Sequence, residues 1–191
     1  MSIARRSVTG GCLLALLLGA TACAAGPAVS TPPPAASAPA PGSAGFFGGT
    51  DLAWVEITIA MNEELLPLLE LAPTHSSDDA LRALVAEVQA GHEQELGSLR
   101  RLHDQAKLPS ENPHKGMPMP GMVTPEQVTA AAAAKGAAFD KLLVGHLRAH
   151  FEQGVKLAES EAKAGVEPQT KSLAAQVITS RDRFLARLSD R

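Results

Sequence analysis

Residues 50–69 read TDLAWVEITIAMNEELLPLL, and in this stretch Trp54, Ile57, Met61, Leu65, Leu68 and Leu69 recur at spacings of three and four. That is the period of a helix with one buried face. Thr50 stands where a helix cap belongs, and Pro73 follows the end. Pro67 lies inside the helix, where a proline removes a backbone donor and bends the helix toward its core. Outward from this segment the same period continues. Leu81, Leu84, Val85, Val88, Leu99 and Leu102 mark a second helix that begins after Ser76-Ser77. A Pro/Gly/Met linker over 105–123 comes next, and then Thr124-Pro125-Glu126-Gln127 supplies a cap, a first-turn proline and a glutamine to close a capping box. The short Ala-rich helix so opened is expected to run to Gly136. A third long helix is predicted over about 137–164, stopping at Gly165, and a fourth follows Pro168 with Leu173, Val177, Phe184 and Leu188 on its stripe. No stretch alternates in the period of a strand. The expectation is an all-α, up-down four-helix bundle with a short extra helix in its central linker.

The helical part repeats itself. A shift of 89 positions carries Trp54 onto Leu143, Leu68 onto Leu157, Val88 onto Val177 and Leu99 onto Leu188. One offset across two helix pairs predicts two similar hairpins packed about a pseudo-twofold axis.

The chain has 191 residues, and its first fifty or so have a different character. Arg5-Arg6, an apolar run from Cys12 to Ala20, and Ala20-Thr21-Ala22-Cys23 have the layout of an export signal. The apolar run is about half of the roughly 20 residues that span a bilayer. Small residues before Cys23 match a lipobox, so residues 1–22 are read as a signal peptide and Cys23 as the lipidated residue that holds the chain at the outer face of the cell membrane. The alternative is secretion without lipid. Residues 23–48 are Ala, Pro, Gly and Ser with almost no charge and read as a tether. Residues 49–191 remain for one domain. Removing residues 1–22 takes away two arginines and no acid, so 15 basic residues face 20 acidic ones, a balance of −5. Nucleic acid is not the expected partner, since no basic patch stands out. The two cysteines fall at Cys12 and Cys23, which leaves the helical domain to be held by its core.

The run Gly116-Met117-Pro118-Met119-Pro120-Gly121-Met122, followed by Thr124-Pro125-Glu126-Gln127 and by Gly136-Ala137 with Phe139-Asp140, resembles the domain-of-unknown-function 305 family, as does the duplicated hairpin. The resemblance covers roughly residues 50–190. It implies an exported or lipid-anchored bacterial protein with a ferritin-like four-helix fold, in a family some of whose members are connected with copper. Family members typically carry a Met and, four residues later, a His-His pair in each odd-numbered long helix. Here His146 stands at the Met position of the second repeat, His150 keeps the first His, and Phe151 replaces the second. The first repeat has Ile57 and then Met61-Asn62. On the second helix His92 replaces the expected glutamine while Glu95 keeps the expected acid, and Arg181 and Phe184 hold the matching places in the last helix. A family-type metal site would therefore be rearranged here.

The residues themselves supply two candidate metal centres. His146 and His150 share a face with Phe139, Leu143 and Leu157, with Gly154 leaving room beside them. His92 lies on the stripe of Leu81, Val85, Val88 and Leu99, Glu95 lies at its edge, and Met61 is central on the first helix. Two histidines at i and i+4 can aim at one ion, completed by His92 with Glu95 or Met61. Imidazole and thioether together favour copper, whereas a carboxylate in place of Met favours zinc or iron. The competing reading makes these histidines neutral core residues and pairs Glu95 with Arg181, because a buried charge needs a partner. A shared centre requires the nitrogens of His92, His146 and His150 to approach within roughly 4–5 Å. The second candidate is the linker set His114, Met117, Met119 and Met122, whose thioethers suit Cu(I); the alternative there is a loop lying across the bundle, with Met as filler. A di-iron enzyme would need Glu-x-x-His pairs on two helices, which this chain lacks. No nucleophile–base set or phosphate loop is recognisable, so the expected role is non-catalytic: a soft metal, copper, bound or buffered at the envelope, or else a metal-free scaffold that binds a protein partner.

Overall fold

A computed structural model describes residues 46–189, and every regular element among them is a helix. The predicted signal peptide, Cys23 and most of the tether lie outside the described residues. The helices are α1 (Gly49–Leu69), α2 (Ala72–His75), α3 (Asp79–Gln105), α4 (Pro125–Ala132), α5 (Gly136–Ala164) and α6 (Pro168–Ser189).

Local chemistry places the ends. The carboxylate of Asp78 accepts from the Leu81 N–H at 2.9 Å and starts α3. Thr124 and Gln127 exchange side-chain and backbone bonds in the predicted capping box at the start of α4. The start of α1 differs from expectation. Gly48, not Thr50, is the cap, because Asp51 reaches back to the Gly48 N–H at 2.7 Å. Phe47, just ahead of α1, packs against the cluster around Trp54. Pro67 sits inside α1 on its exposed face.

Two apolar clusters give the helices their directions. One gathers Leu65, Leu68 and Leu69 from the end of α1 with Leu81, Leu84 and Val88 from the start of α3. The same cluster takes Phe139, Leu143 and Leu147 from the start of α5, and Phe184 and Leu188 from the end of α6. The other joins Trp54, Val55 and Ile59 with Leu96, Leu99, Leu102, Ala158, Ala174 and Val177, which are the opposite ends of the same four helices. So α1 and α6 run one way and α3 and α5 the other. The order is up, down, down, up, and residues 106–135 travel the length of the molecule instead of making a short turn. Each fully buried Leu contributes about 1.5–3 kcal/mol through removal of its apolar surface from water. The starts of α3 at Asp79 and α6 at Pro168 keep the 89-residue offset, and those of α1 at Gly49 and α5 at Gly136 come within two residues of it.

A carboxyl pair ties the start of α1 to the α5–α6 turn. Asp51, fully buried, accepts from the N–H groups of Val166 and Glu167, both at 3.0 Å. Glu161 is also fully buried and finds no N–H or O–H donor among the described residues. Burial and then the facing Asp51 push its carboxyl up to about 7, Lys171 pulls the other way, and Glu167 adds the smallest push. A pKa raised by folding gives stability that is complete below the ordinary carboxyl value and is lost as pH rises through about 7. Thermal unfolding at pH 5 and pH 8 is therefore expected to show the wild type losing several degrees at the higher pH. Glu161→Gln, whose amide has no acidic proton to lose, should show a much smaller difference. Equal pH sensitivity in the two proteins would contradict this.

Candidate metal centre

Halfway along the bundle the apolar stripes carry polar side chains. His92 on α3 and His150 on α5 are both buried, and their Nε2 atoms lie 3.1 Å apart. The Nδ1 of His92 meets the carbonyl of Val88, one turn back on α3, at 2.9 Å. The Nδ1 of His150 meets the carbonyl of Gly121 at 3.2 Å. A carbonyl oxygen can only accept, so each Nδ1 must carry the hydrogen. Each neutral ring then turns its Nε2 lone pair toward the other. Two lone pairs at that distance repel unless an electrophile, a proton or a metal ion, lies between them. Protonation is disfavoured here. Burial first, then the charge of Arg181, hold His150 down to about 3, and the same two causes in the same order, with His150 added, hold His92 well below the usual imidazole value.

Beside the pair is a buried ionic network. Arg181 is 2 % exposed and donates through Nη2 to Glu95 at 2.9 Å, and Asn62 donates to the same Glu95 oxygen at 2.7 Å. A phenyl ring joins the two groups. Phe151 has its centroid 5.8 Å from that of His150 and 6.1 Å from that of His92, with the Arg181 guanidinium 5.6 Å from the same ring. Under the 89-residue register Met61, Asn62, His92 and Glu95 correspond to His150, Phe151, Arg181 and Phe184. The two hairpins thus meet through equivalent positions filled with different chemistry.

The methionine loop belongs to the same region. Met61 and Met122 are buried in one cluster, with Met119 packed against it. Asn112 anchors the loop by donating to the Glu56 carbonyl at 2.8 Å. Gly121 sits at φ +77°, and a Cβ there would come within 2.8 Å of the Ala149 carbonyl and 2.6 Å of the Gln153 side chain. Only glycine lets this turn lie flat on α5 and present its carbonyl to His150.

The structure therefore redistributes the predicted residues. It links the two proposed centres through one bond, the Gly121 carbonyl on His150 Nδ1, while Met61 packs with Met119 and Met122 in a separate cluster. It leaves His146 out: this residue is half-buried at the rim of the stripe that Leu143, Leu147 and His150 occupy, and no cluster of three His, Cys, Asp or Glu forms among the described residues. Glu95 is not a free ligand, because Arg181 and Asn62 hold it. The room beside Gly154 is filled by the Arg181 side chain, whose Nε would lie 3.5 Å from a Cβ at that position. Met117 is 45 % exposed, and His114 lies in the turn whose carbonyl receives the Met117 N–H. Sequence reasoning missed Gly121 and Asn62 as working parts. The flanking Gly-Met-Pro run was a signal for the first, and the buried stripe position of Asn62 was a signal for the second.

A family model described as domain of unknown function (DUF305) matches residues 51–190. Three solved structures share the fold. The first is a candidate secreted protein of the same family from Streptomyces coelicolor, at 18% identity and TM-score 0.66, covering 74% of this chain and 90% of that one. The second is a DUF305 fragment from Deinococcus radiodurans, at 13% identity and TM-score 0.67, covering 75% and 95%. The third is CopM in its Cu(I)-bound form, at 17% identity and TM-score 0.63, also covering 75% and 95%. A search of curated proteins finds no match.

Proposed function

We propose, from the premise that this chain belongs to the DUF305 family, that it is a non-catalytic envelope lipoprotein that captures or buffers Cu(I) at the His92–His150 centre. The facing Nε2 lone pairs carry this reading. Donors 3.1 Å apart can both stand about 2 Å from one ion. The thioethers of Met61, Met119 and Met122, which pack together beside the loop whose Gly121 holds His150, are the soft donors that suit Cu(I) where free thiols would be oxidised. A similar fold is seen in CopM with Cu(I) bound. In the chain proposed here, Val88 and Gly121 fix the tautomers, Phe151 excludes water, and Cys23 attaches the protein to the outer face of the cell membrane by its lipid. No described helix is long and apolar enough to cross a membrane.

The competing reading is a metal-free scaffold in which one shared proton joins the imidazoles. Thermal unfolding of the full chain separates the two. A ligand that binds only the folded state, at 100 times its Kd, stabilises by about 2.7 kcal/mol. Cu(I) is expected to raise the Tm of the wild type and to leave that of His92→Ala/His150→Ala almost unchanged. No shift in either protein would favour the scaffold, and equal shifts would place copper away from the two histidines.

A further inference from the structure

We infer that Arg181 is the residue that determines charge selectivity at the centre: by occupying Glu95 it leaves a metal ion only neutral donors, and so restricts the site to a monovalent ion. The inference rests on the copper reading above.

Glu95 follows His92 by three residues, so both point from the same face of α3. The order is the reverse of the Glu-x-x-His motif of di-iron bundles, yet a carboxylate beside an imidazole on one helix face is a donor set that suits a divalent ion. In this chain the carboxylate is unavailable. Its Oε1 takes the Arg181 guanidinium at 2.9 Å and the Asn62 amide at 2.7 Å, and Glu95 is itself buried. What the centre offers an ion is then two uncharged imidazole nitrogens, with the Arg181 guanidinium, paired to Glu95, beside them. The cost of placing an ion in such surroundings grows with the square of its charge, so a divalent ion pays about four times what a monovalent one does, with no anion to offset it. Arg181 also stands at the register position of His92, so the second hairpin places a fixed cation where the first places a ligand. The Arg181 side chain runs past Gly154, its Nε 3.5 Å from where a Cβ would stand.

Competition titrations with Cu(I) and Zn(II) on the full chain test this in the wild type, in Arg181→Met and in Glu95→Gln/Arg181→Met. The wild type is expected to take Cu(I) and to reject Zn(II). Arg181→Met frees the carboxylate and should raise the ratio of Zn(II) to Cu(I) affinity on the order of tenfold or more, because a nearby charge acts twice as strongly on a divalent ion. The double variant frees no carboxylate and should keep the wild-type ratio. A wild type that binds Zn(II) as tightly as Cu(I) overturns the inference without any variant, which covers the case in which Arg181→Met fails to fold. Cu(I) binding with an unchanged ratio in Arg181→Met overturns the inference alone. Uptake of neither ion by the wild type overturns the copper reading and this inference together.

Discussion

Arg181→Ala is expected to cost the folded domain about 3–5 kcal/mol, because removing one partner of a buried pair leaves the other charge uncompensated. For a domain of this size that is a fall in Tm of about 10 °C or more. Glu95, 8 % exposed, would keep only Asn62 as a donor, and would have to take up a proton or draw in water. The lost side chain also empties the space beside Gly154. Removing both charges is a different matter. Apolar or neutral replacements of a whole buried pair are often tolerated, so Glu95→Gln/Arg181→Met should recover most of the loss. Denaturant unfolding of the three proteins decides this, and an Arg181→Ala protein within about 1 kcal/mol of the wild type would mean that the pair carries no buried charge.

Phe151→Ala is expected to cost a similar amount, about 3–5 kcal/mol, through lost burial and the cavity left behind. The fully buried ring stacks on Phe184 at 5.5 Å and flanks both imidazoles. Its removal should therefore do more than weaken the core. Burial is the first cause holding His92 and His150 below the ordinary imidazole range, so water entering the cavity should bring both back toward that range. Proton titration of the two rings by NMR reads the effect. A stability loss with no movement of either histidine would show that Phe151 fills space without controlling the polarity of the centre.

Much of the fold was open to reading because helical period and caps are local. Thr124 and Gln127 announce the start of α4, Gly165 the end of α5, and the register of 89 pairs the hairpins before any coordinates are known. The centre was legible only in part. A stripe of leucines identifies His92 and His150 as interior, and a buried Glu95 demands a partner such as Arg181. Periodicity does not resolve a residue at the middle of a stripe from one at its rim, which is why His146 looked equivalent to His150. Nor does it say where an irregular segment goes. Residues 106–135 run back along the whole bundle, and the turn at Gly121 brings Met119 and Met122 to Met61. Spacing alone does not bring those methionines to Met61, because the turn that does so depends on one glycine with positive φ and on the absence of a Cβ against α5. The tautomers are a tertiary property too, since one of the two fixing carbonyls comes from that same loop.

The most direct test is X-ray absorption at the copper edge on the Cu(I)-loaded full chain, alongside His92→Ala/His150→Ala. The wild type is expected to show imidazole nitrogen and thioether sulfur around one copper ion, and the nitrogen signal should vanish in the double variant. Nitrogen scattering that persists without His92 and His150, or copper in the wild type surrounded by no imidazole at all, would contradict a centre built on the facing Nε2 atoms.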